Sequence, residues 1–133
     1  MNSRRPLFSD WRVRQALIEA FNFEYINEAQ NAGRQERISS YFSNSILGMK
    51  EGAADGDVLR LLENSDQTLL PGTLEGYKLP KGDGSQRNRD NMKKALKNLS
   101  IAGFNVTDGK LLDSQGRQFS FSILLRQGAQ EYQ

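Results

Sequence analysis

The sequence contains neither cysteine nor histidine, and these two absences remove most of the familiar catalytic chemistry. Without cysteine there is no disulfide framework, no thiolate nucleophile and no thiolate metal site. Without histidine the chain lacks the commonest general base and a common metal ligand. No GxSxG or SxxK motif supplies another nucleophile. We therefore predict that the chain is not an enzyme and that it holds no cofactor.

An excess of one charge is also lacking, as are long apolar runs. The 18 basic and 16 acidic residues give a net charge of +2, which is too small to indicate nucleic acid. No apolar run approaches the roughly 20 residues that span a bilayer. Met1 is not followed by the apolar segment of a signal peptide. A chain of 133 residues suits one domain, so we predict a single domain over residues 1–133.

Two pairs of acidic residues lie on turn-forming stretches. Asp55 and Asp57 flank a glycine, and Asp108 and Asp113 also lie close to glycines in the sequence. Residues 55–57 and 83–85 both resemble part of a calcium loop, but neither stretch alternates oxygen ligands with a glutamate at the twelfth position. These residues are predicted to form turns rather than catalytic or metal sites.

The first helix follows a proline and a capping residue. Pro6 disfavours the helical region for Arg5, so the chain begins extended, and Ser9 or Asp10 can then cap the first turn. Apolar residues follow at spacings of three and four, at Val13, Ala16, Leu17, Ala20 and Phe21. This spacing predicts an amphipathic helix, with Glu19 outside the apolar stripe.

Further elements follow the same spacing and its interruptions. The second predicted helix runs from Phe23 to about Ala32, with Asn22 as its cap and Gly33 as its stop. A loop over 34–49 and a short helix over 57–63 follow it. A surface connection over 69–84 then leads to a helix that begins at about Asn88 and ends at Gly103. The buried stripe of the last helix is predicted to contain Met92, Ala95, Leu96 and Leu99.

The end of the chain alternates apolar and polar residues. Short strands are predicted at 104–106 and 110–112, then a turn at 113–116 and the best strand over 118–126. The predicted fold class is α/β, with several helices packed on a small sheet and a C-terminal β-hairpin. Residues 127–133 read as the start of another element, so the sheet would be incomplete within the chain.

The segment from Asn2 to Leu17 resembles the extracellular solute-binding proteins of family five, the periplasmic peptide-binding components of ABC importers. The resemblance rests on the run Arg5-Pro6-Leu7-Phe8, the acid at Asp10 and Arg12-Val13-Arg14-Gln15-Ala16-Leu17. It departs from the usual pattern at Ser3, where threonine is common, and at Asn22, where aspartate is common. The Lys-Lys-Ala-Leu, Ala-Gly-Phe and Asp-Gly-Lys-Leu stretches of residues 93–112 extend it over almost the whole chain.

The resemblance implies a larger protein of which this chain is one piece. It implies part of the second lobe of a two-lobed periplasmic-binding-protein fold of type II. The whole protein would be periplasmic, with a leader absent from this segment. It would bind extracellular or periplasmic oligopeptides and deliver them to an ABC permease in the membrane, with no nucleic acid partner. The fragment alone would bind a peptide only weakly. Three stretches, over 4–8, 40–45 and 83–91, resemble the oligopeptide-binding branch.

One loop combines aromatic and small hydrogen-bonding side chains. It contains Tyr41, Phe42, Ser43, Asn44 and Ser45. An extended peptide needs polar partners for its main chain and tolerant apolar walls for its side chains. These five residues are therefore the predicted ligand-binding residues. The alternative is that Tyr41 and Phe42 anchor the loop to a core.

Two other functions remain open from the residues alone. Arg4, Arg5, Arg12 and Arg14, with Phe8 and Trp11 between them, would suit a small basic nucleic-acid-binding module, although an ion-paired helix surface explains the same residues. An open strand edge over 118–126 would suit a protein-interaction module.

Overall fold

The computed structural model describes residues 1–65 and 68–125. In these residues the elements are α1 (Pro6–Ser9), α2 (Trp11–Ala20), α3 (Phe23–Asn31), α4 (Gly56–Glu63), α5 (Arg89–Ile101), β1 (Asn105–Thr107) and β2 (Lys110–Leu112). The chain divides into two compact units. The first unit contains Met1–Gln35 and the chain from Pro80 onward, and the second unit contains Glu36–Leu79. None of the described helices is both long and apolar enough to cross a membrane.

The start of the first unit follows the predicted cap, with one difference. Arg5 is extended as predicted, at φ −77° and ψ 132°, but Pro6–Ser9 then forms a helical turn that was not predicted. Proline suits the first position of a helix because its missing N–H would have no partner there. Asp10 caps α2, since its Oδ1 accepts the backbone N–H of Arg12 at 2.8 Å. Ser9 instead donates its hydroxyl to the carbonyl of Pro6 at 2.8 Å.

Two of the four clustered arginines hold the corner between α1 and α2. Nη1 of Arg14 donates to the carbonyl oxygens of Phe8 and Ser9, at 2.6 and 2.9 Å. Arg12 pairs with Asp10 at 3.3 Å and lies over the Trp11 ring, 5.2 Å from its centroid. These contacts give both guanidinium groups structural roles within the chain.

The core of the first unit lies where α2 packs on α5. Val13 and Ala16 of α2 are buried there against Ala95 and Leu99 of α5. Six partly buried residues border this cluster: Leu7, Phe8, Ala102, Phe104, Leu111 and Phe119. The alanines at the contact leave little side-chain volume between the two helices. Since protein interiors are close-packed, small side chains there favour a short distance between the helices.

The predicted stripes of α2 and α5 are only partly correct. Ala95 and Leu99 are buried as predicted, but Met92 and Leu96 remain 39% and 45% exposed. Asn91 is buried instead, and its Nδ2 donates to the carbonyl of Lys81 at 3.0 Å. The buried face of α5 therefore includes a polar side chain that holds the preceding connection.

Glu19 was predicted outside the apolar stripe of α2, and that prediction is wrong. Its side chain is buried between α2 and α5. Oε2 accepts from Nδ2 of Asn98 at 3.0 Å, and Oε1 accepts from Nε2 of Gln15 at 3.3 Å. Hydrogen bonds from two amides satisfy the carboxylate, which is what makes its burial tolerable.

The connection over 81–88 is fixed by side chains of the same unit. Oε2 of Glu24 accepts the backbone N–H of Gly82 at 2.8 Å. Asn22 stands at the predicted cap position of α3, but its side chain makes no capping bond. Its Nδ2 donates to the carbonyl of Ser85 at 2.8 Å instead. The asparagine therefore holds a distant loop rather than the helix terminus beside it.

The sheet is a two-stranded antiparallel hairpin of β1 and β2. Asp108 and Gly109 form its turn with positive φ of 50° and 73°, which suits the right-handed twist of a hairpin. The predicted strand over 118–126 is wrong within 118–125, where only an isolated bridge pairs Leu112 with Gln118. Because β2 has three residues, it offers little edge for a long partner. Residues 126–133, which include the predicted next element, lie outside the described residues.

The two phenylalanines of the predicted strand pack against other aromatic rings. Phe121 meets Phe8 with centroids 5.8 Å apart, and Phe119 meets Phe104 at 5.1 Å. Phe119 and Phe121 also meet each other, at 5.8 Å. All three contacts are edge to face, the arrangement that the ring quadrupoles favour. Three of these rings, those of Phe8, Phe104 and Phe119, are partly buried and pack against the core.

The turn after β2 is organised by one carboxylate. Oδ1 of Asp113 accepts the backbone N–H groups of Gln115 and Arg117, both at 2.9 Å. Oδ2 accepts from Nε of Arg117 at 2.7 Å. The side-chain bond from Arg117 is the main cause that lowers the pKa of Asp113, and the backbone bonds add to it.

The first testable prediction concerns acidification of this turn. A pKa below its ordinary value of 3.8 means that the carboxylate stabilises the turn above that value. This stabilisation is lost as the pH falls through the lowered pKa. We expect the Arg117 amide and Nε signals in NMR spectra to shift during that titration and to lose the shift in Asp113→Asn. Asp108→Asn is the control, and an unchanged titration in Asp113→Asn would contradict the assignment.

Candidate functional site

The second unit differs from the first because no side chain is buried in its described residues, 36–65 and 68–79. It is held by close backbone contacts. The N–H of Ala54 donates to the carbonyl of Leu74 at 2.8 Å. Gly76 lies so close to Gly52 that a Cβ at Gly76 would overlap the Gly52 carbonyl oxygen. The two glycines permit the segments around 52 and 76 to cross at backbone distance.

The serines of the predicted ligand-binding loop build the loop itself. The hydroxyl of Ser43 donates to the carbonyl of Ser40, and that of Ser45 donates to the carbonyl of Phe42, both at 2.8 Å. Oγ of Ser40 accepts the N–H of Met49 at 3.3 Å and so joins the two ends of the loop. Such local side-chain bonds replace regular secondary structure.

The remaining predicted residues of this loop point outward. Tyr41 is fully exposed, and Phe42 is 57% exposed. Asn44 is exposed in the left-handed region at φ 66°. Neither aromatic ring anchors the loop to a core in the described structure. Of the five predicted residues, two serve the turns of the loop through their hydroxyls and three present their side chains at its surface.

A cavity of about 640 Å³ lies on one side of this loop. Its lining comes entirely from residues 36–50 and includes Ser43, Asn44 and Ser45, but neither Tyr41 nor Phe42. The loop therefore brings three of the five predicted residues to one cavity and places both aromatic side chains outside its lining. A volume of this size is typical of small-ligand sites, which measure about 300–1,000 Å³.

A second cavity of about 180 Å³ adjoins the first through shared residues. Ser39, Met49 and Lys50 line both cavities. Nothing in the sequence marks Lys50 as a site residue, because it belongs to no motif and gains its position only from the folding of residues 36–50 into a loop. The one available signal was the long irregular stretch around it, since long ordered loops are often functional.

The acidic pairs considered in the sequence are separate from these cavities. Asp57 pairs with Arg60 within α4, and Asp108 lies in the hairpin turn. Across residues 1–65 and 68–125, no three or more acidic side chains come together as a metal-binding group. The turn roles predicted for Asp108 and Asp113 are confirmed.

Known proteins similar to this chain are much longer than it is. Peptidoglycan-binding protein YepA of Agrobacterium fabrum is 38% identical over 131 residues, which are 98% of this chain and 21% of that protein. The protein named "Probable peptide-binding protein YejA" of the same organism is 28% identical over 132 residues, 98% of this chain and 21% of its own length. Escherichia coli YejA, an uncharacterized protein, is 31% identical over 125 residues, which are 93% of this chain and 21% of that protein. No family model matches the chain.

The chain thus spans about one fifth of the length of these relatives. It is homologous to a segment of larger binding proteins, and this is consistent with a fragment of a family-five extracellular solute-binding protein. The resemblance to a segment of larger peptide-binding proteins, which was stated from the sequence, is confirmed. The described structure is a small α/β arrangement of helices and a two-stranded antiparallel sheet, compatible with part of a larger domain.

Proposed function

We propose that the whole protein is the oligopeptide-binding component of an ABC importer and acts in the periplasm. The observation that carries the proposal is the alignment of 98% of this chain with relatives named for binding peptidoglycan or peptides. The chain would belong to the second lobe of a two-lobed fold of type II and form one domain within that lobe. It would catalyse no reaction and would hand its peptide, with the rest of the protein, to the membrane permease.

The proposed mechanism is closure of two lobes over the peptide. Ligand contacts from both lobes stabilise the closed state relative to the open state, so binding and closure are coupled. This segment supplies at most one wall of such a site. The 133-residue chain should therefore bind tripeptides far more weakly than the full-length protein in calorimetry. Micromolar binding by the chain alone would contradict the one-wall proposal.

The wall that we propose is the loop from Tyr41 to Ser45. Its exposed rings can pack against variable side chains, while Asn44 can hydrogen-bond a peptide main chain. In the full-length protein, the double change Tyr41→Ala and Phe42→Ala should weaken tripeptide binding about tenfold, as loss of aromatic contacts does in other sites. The measurement is calorimetry with synthetic tripeptides.

A matched control for the aromatic change is Phe21→Ala. Phe21 is 44% exposed, but it belongs to the first unit. Its removal should leave the affinity unchanged. Equal affinities for the native protein and the Tyr41 and Phe42 double variant would remove this loop from the proposed site.

The alternative of a nucleic-acid-binding module is tested by salt. A protein that contacts several phosphates loses affinity linearly with the logarithm of salt concentration. Arg4→Gln and Arg5→Gln should lower that slope if the arginine cluster binds a duplex. The contacts of Arg12 and Arg14 within the α1–α2 corner favour the structural explanation of the cluster.

A further inference from the structure

The cations of the second unit are concentrated at its two cavities. Residues 36–79 contain four basic and seven acidic side chains, so the unit as a whole is acidic. Three of the four cations nevertheless line a cavity: Arg37, Lys50 and Lys78. The fourth, Arg60, is paired with Asp57 in α4. The unit has more acidic than basic side chains, so a random distribution would place more acids than cations at the cavities.

The acids of the unit are mostly elsewhere. Only Glu36 and Glu51 line the cavities, whereas the other described acids of the unit are exposed and absent from both linings. Cations therefore outnumber acids along the combined lining of an otherwise acidic unit. Charge of one sign in a concave surface attracts a ligand group of the opposite sign.

We infer that the two cavities form a site for a carboxylate group of the peptide ligand, with Lys50 as its main contact. This inference rests on the proposed peptide-binding function. Of the three cations, Lys50 is the one that lines both cavities. Arg37 already interacts with another group of the chain, and this favours Lys50 for the main role.

The walls around the cation suit a variable peptide. Ile46 and Met49 line the larger cavity, with 99% and 46% of their surfaces exposed. Methionine adapts its shape to different partners because its side chain is unbranched and polarizable. A fixed charge contact beside adaptable apolar walls would recognise the carboxylate while tolerating different neighbouring side chains.

The test compares one tripeptide as its free acid and as its amide, and adds a third peptide that carries a carboxylate on a side chain. The probes are tri-alanine, tri-alanine amide and Ala-Glu-Ala amide, each titrated into the full-length protein by calorimetry. We expect tri-alanine to bind about tenfold more tightly than its amide, the scale of one charge-assisted hydrogen bond in a partly exposed site. Tighter binding of Ala-Glu-Ala amide than of tri-alanine amide would show that a side-chain carboxylate is accepted as well as a terminal one.

Variants of Lys50 then locate the contact. Lys50→Gln should abolish the preference for the free acid, and Lys50→Arg should keep most of it because the charge remains. Lys97→Gln, an exposed lysine of α5, is the matched control and should change nothing. Equal binding of acid and amide by the native protein, or an unchanged preference in Lys50→Gln, would overturn the inference and leave the proposed function standing. Failure of every probe to bind would overturn both.

Discussion

Replacing Leu99 with alanine is expected to destabilise the protein by about 2–4 kcal/mol. Leu99 is only 7% exposed and packs with Val13, Ala16 and Ala95 in the core of the first unit. Its truncation removes apolar contacts and leaves a cavity that the two helices can fill only by moving. The measurement is urea unfolding followed by circular dichroism, with the free energy of unfolding compared at equal slope.

The matched control for Leu99 is Leu96, three residues earlier on the same helix. The sequence pattern assigns both leucines to the buried stripe, but Leu96 is 45% exposed in the structure. Leu96→Ala should therefore cost less than about 1 kcal/mol, the range of surface substitutions and half-buried groups. Equal costs for the two variants would contradict the structural orientation of α5.

Replacing Gly76 with alanine is expected to open the backbone crossing of the second unit. The new Cβ would overlap the Gly52 carbonyl oxygen, so one of the two segments must move. The bond between the Ala54 N–H and the Leu74 carbonyl spans the same crossing and should break. We expect hydrogen exchange at the Ala54 amide to accelerate by about tenfold or more, the signature of local opening.

Gly72→Ala separates the steric effect from backbone strain. Gly72 and Gly76 have nearly the same φ, +84° and +83°, so alanine is strained by about 1–2 kcal/mol at either position. A Cβ at Gly72 meets no atom within 4 Å. Only Gly76→Ala should therefore accelerate exchange at Ala54 strongly and expose the unit to limited proteolysis. Similar exchange in both variants would show that the crossing does not hold the unit.

Features that depend on neighbours in sequence were predictable. The extended Arg5, the Asp10 cap and the turns at Asp108 and Asp113 each follow from contacts within a few residues. The helices α2 to α5 occur close to their predicted ranges for the same reason. Hydrophobic spacing and capping residues determine these elements before any long-range contact forms.

Features that depend on distant partners were not predictable. The pattern over 118–125 is that of a strand, but β2 supplies only a single bridge to Gln118, and the phenylalanines pack as rings. The burial of Glu19 is tolerated because Asn98, 79 residues away, donates a hydrogen bond to it. The spacing of apolar residues does not show whether a partner strand or a hydrogen-bonding side chain lies nearby in the fold.

The candidate site divides in the same way. The loop from Tyr41 to Ser45 could be selected from its composition alone, since serine and asparagine favour tight local turns beside exposed aromatic rings. The contribution of Lys50 could not, because it follows from closure of residues 36–50 into a cavity. By itself, the sequence determined the helices and turns, which depend on residues close together in the chain. It also determined the resemblance to larger binding proteins, which rests on short runs of adjacent residues. Only the tertiary structure decided which positions of the predicted stripes are buried and which cations line a cavity, because burial and cavity lining depend on how separate segments pack together.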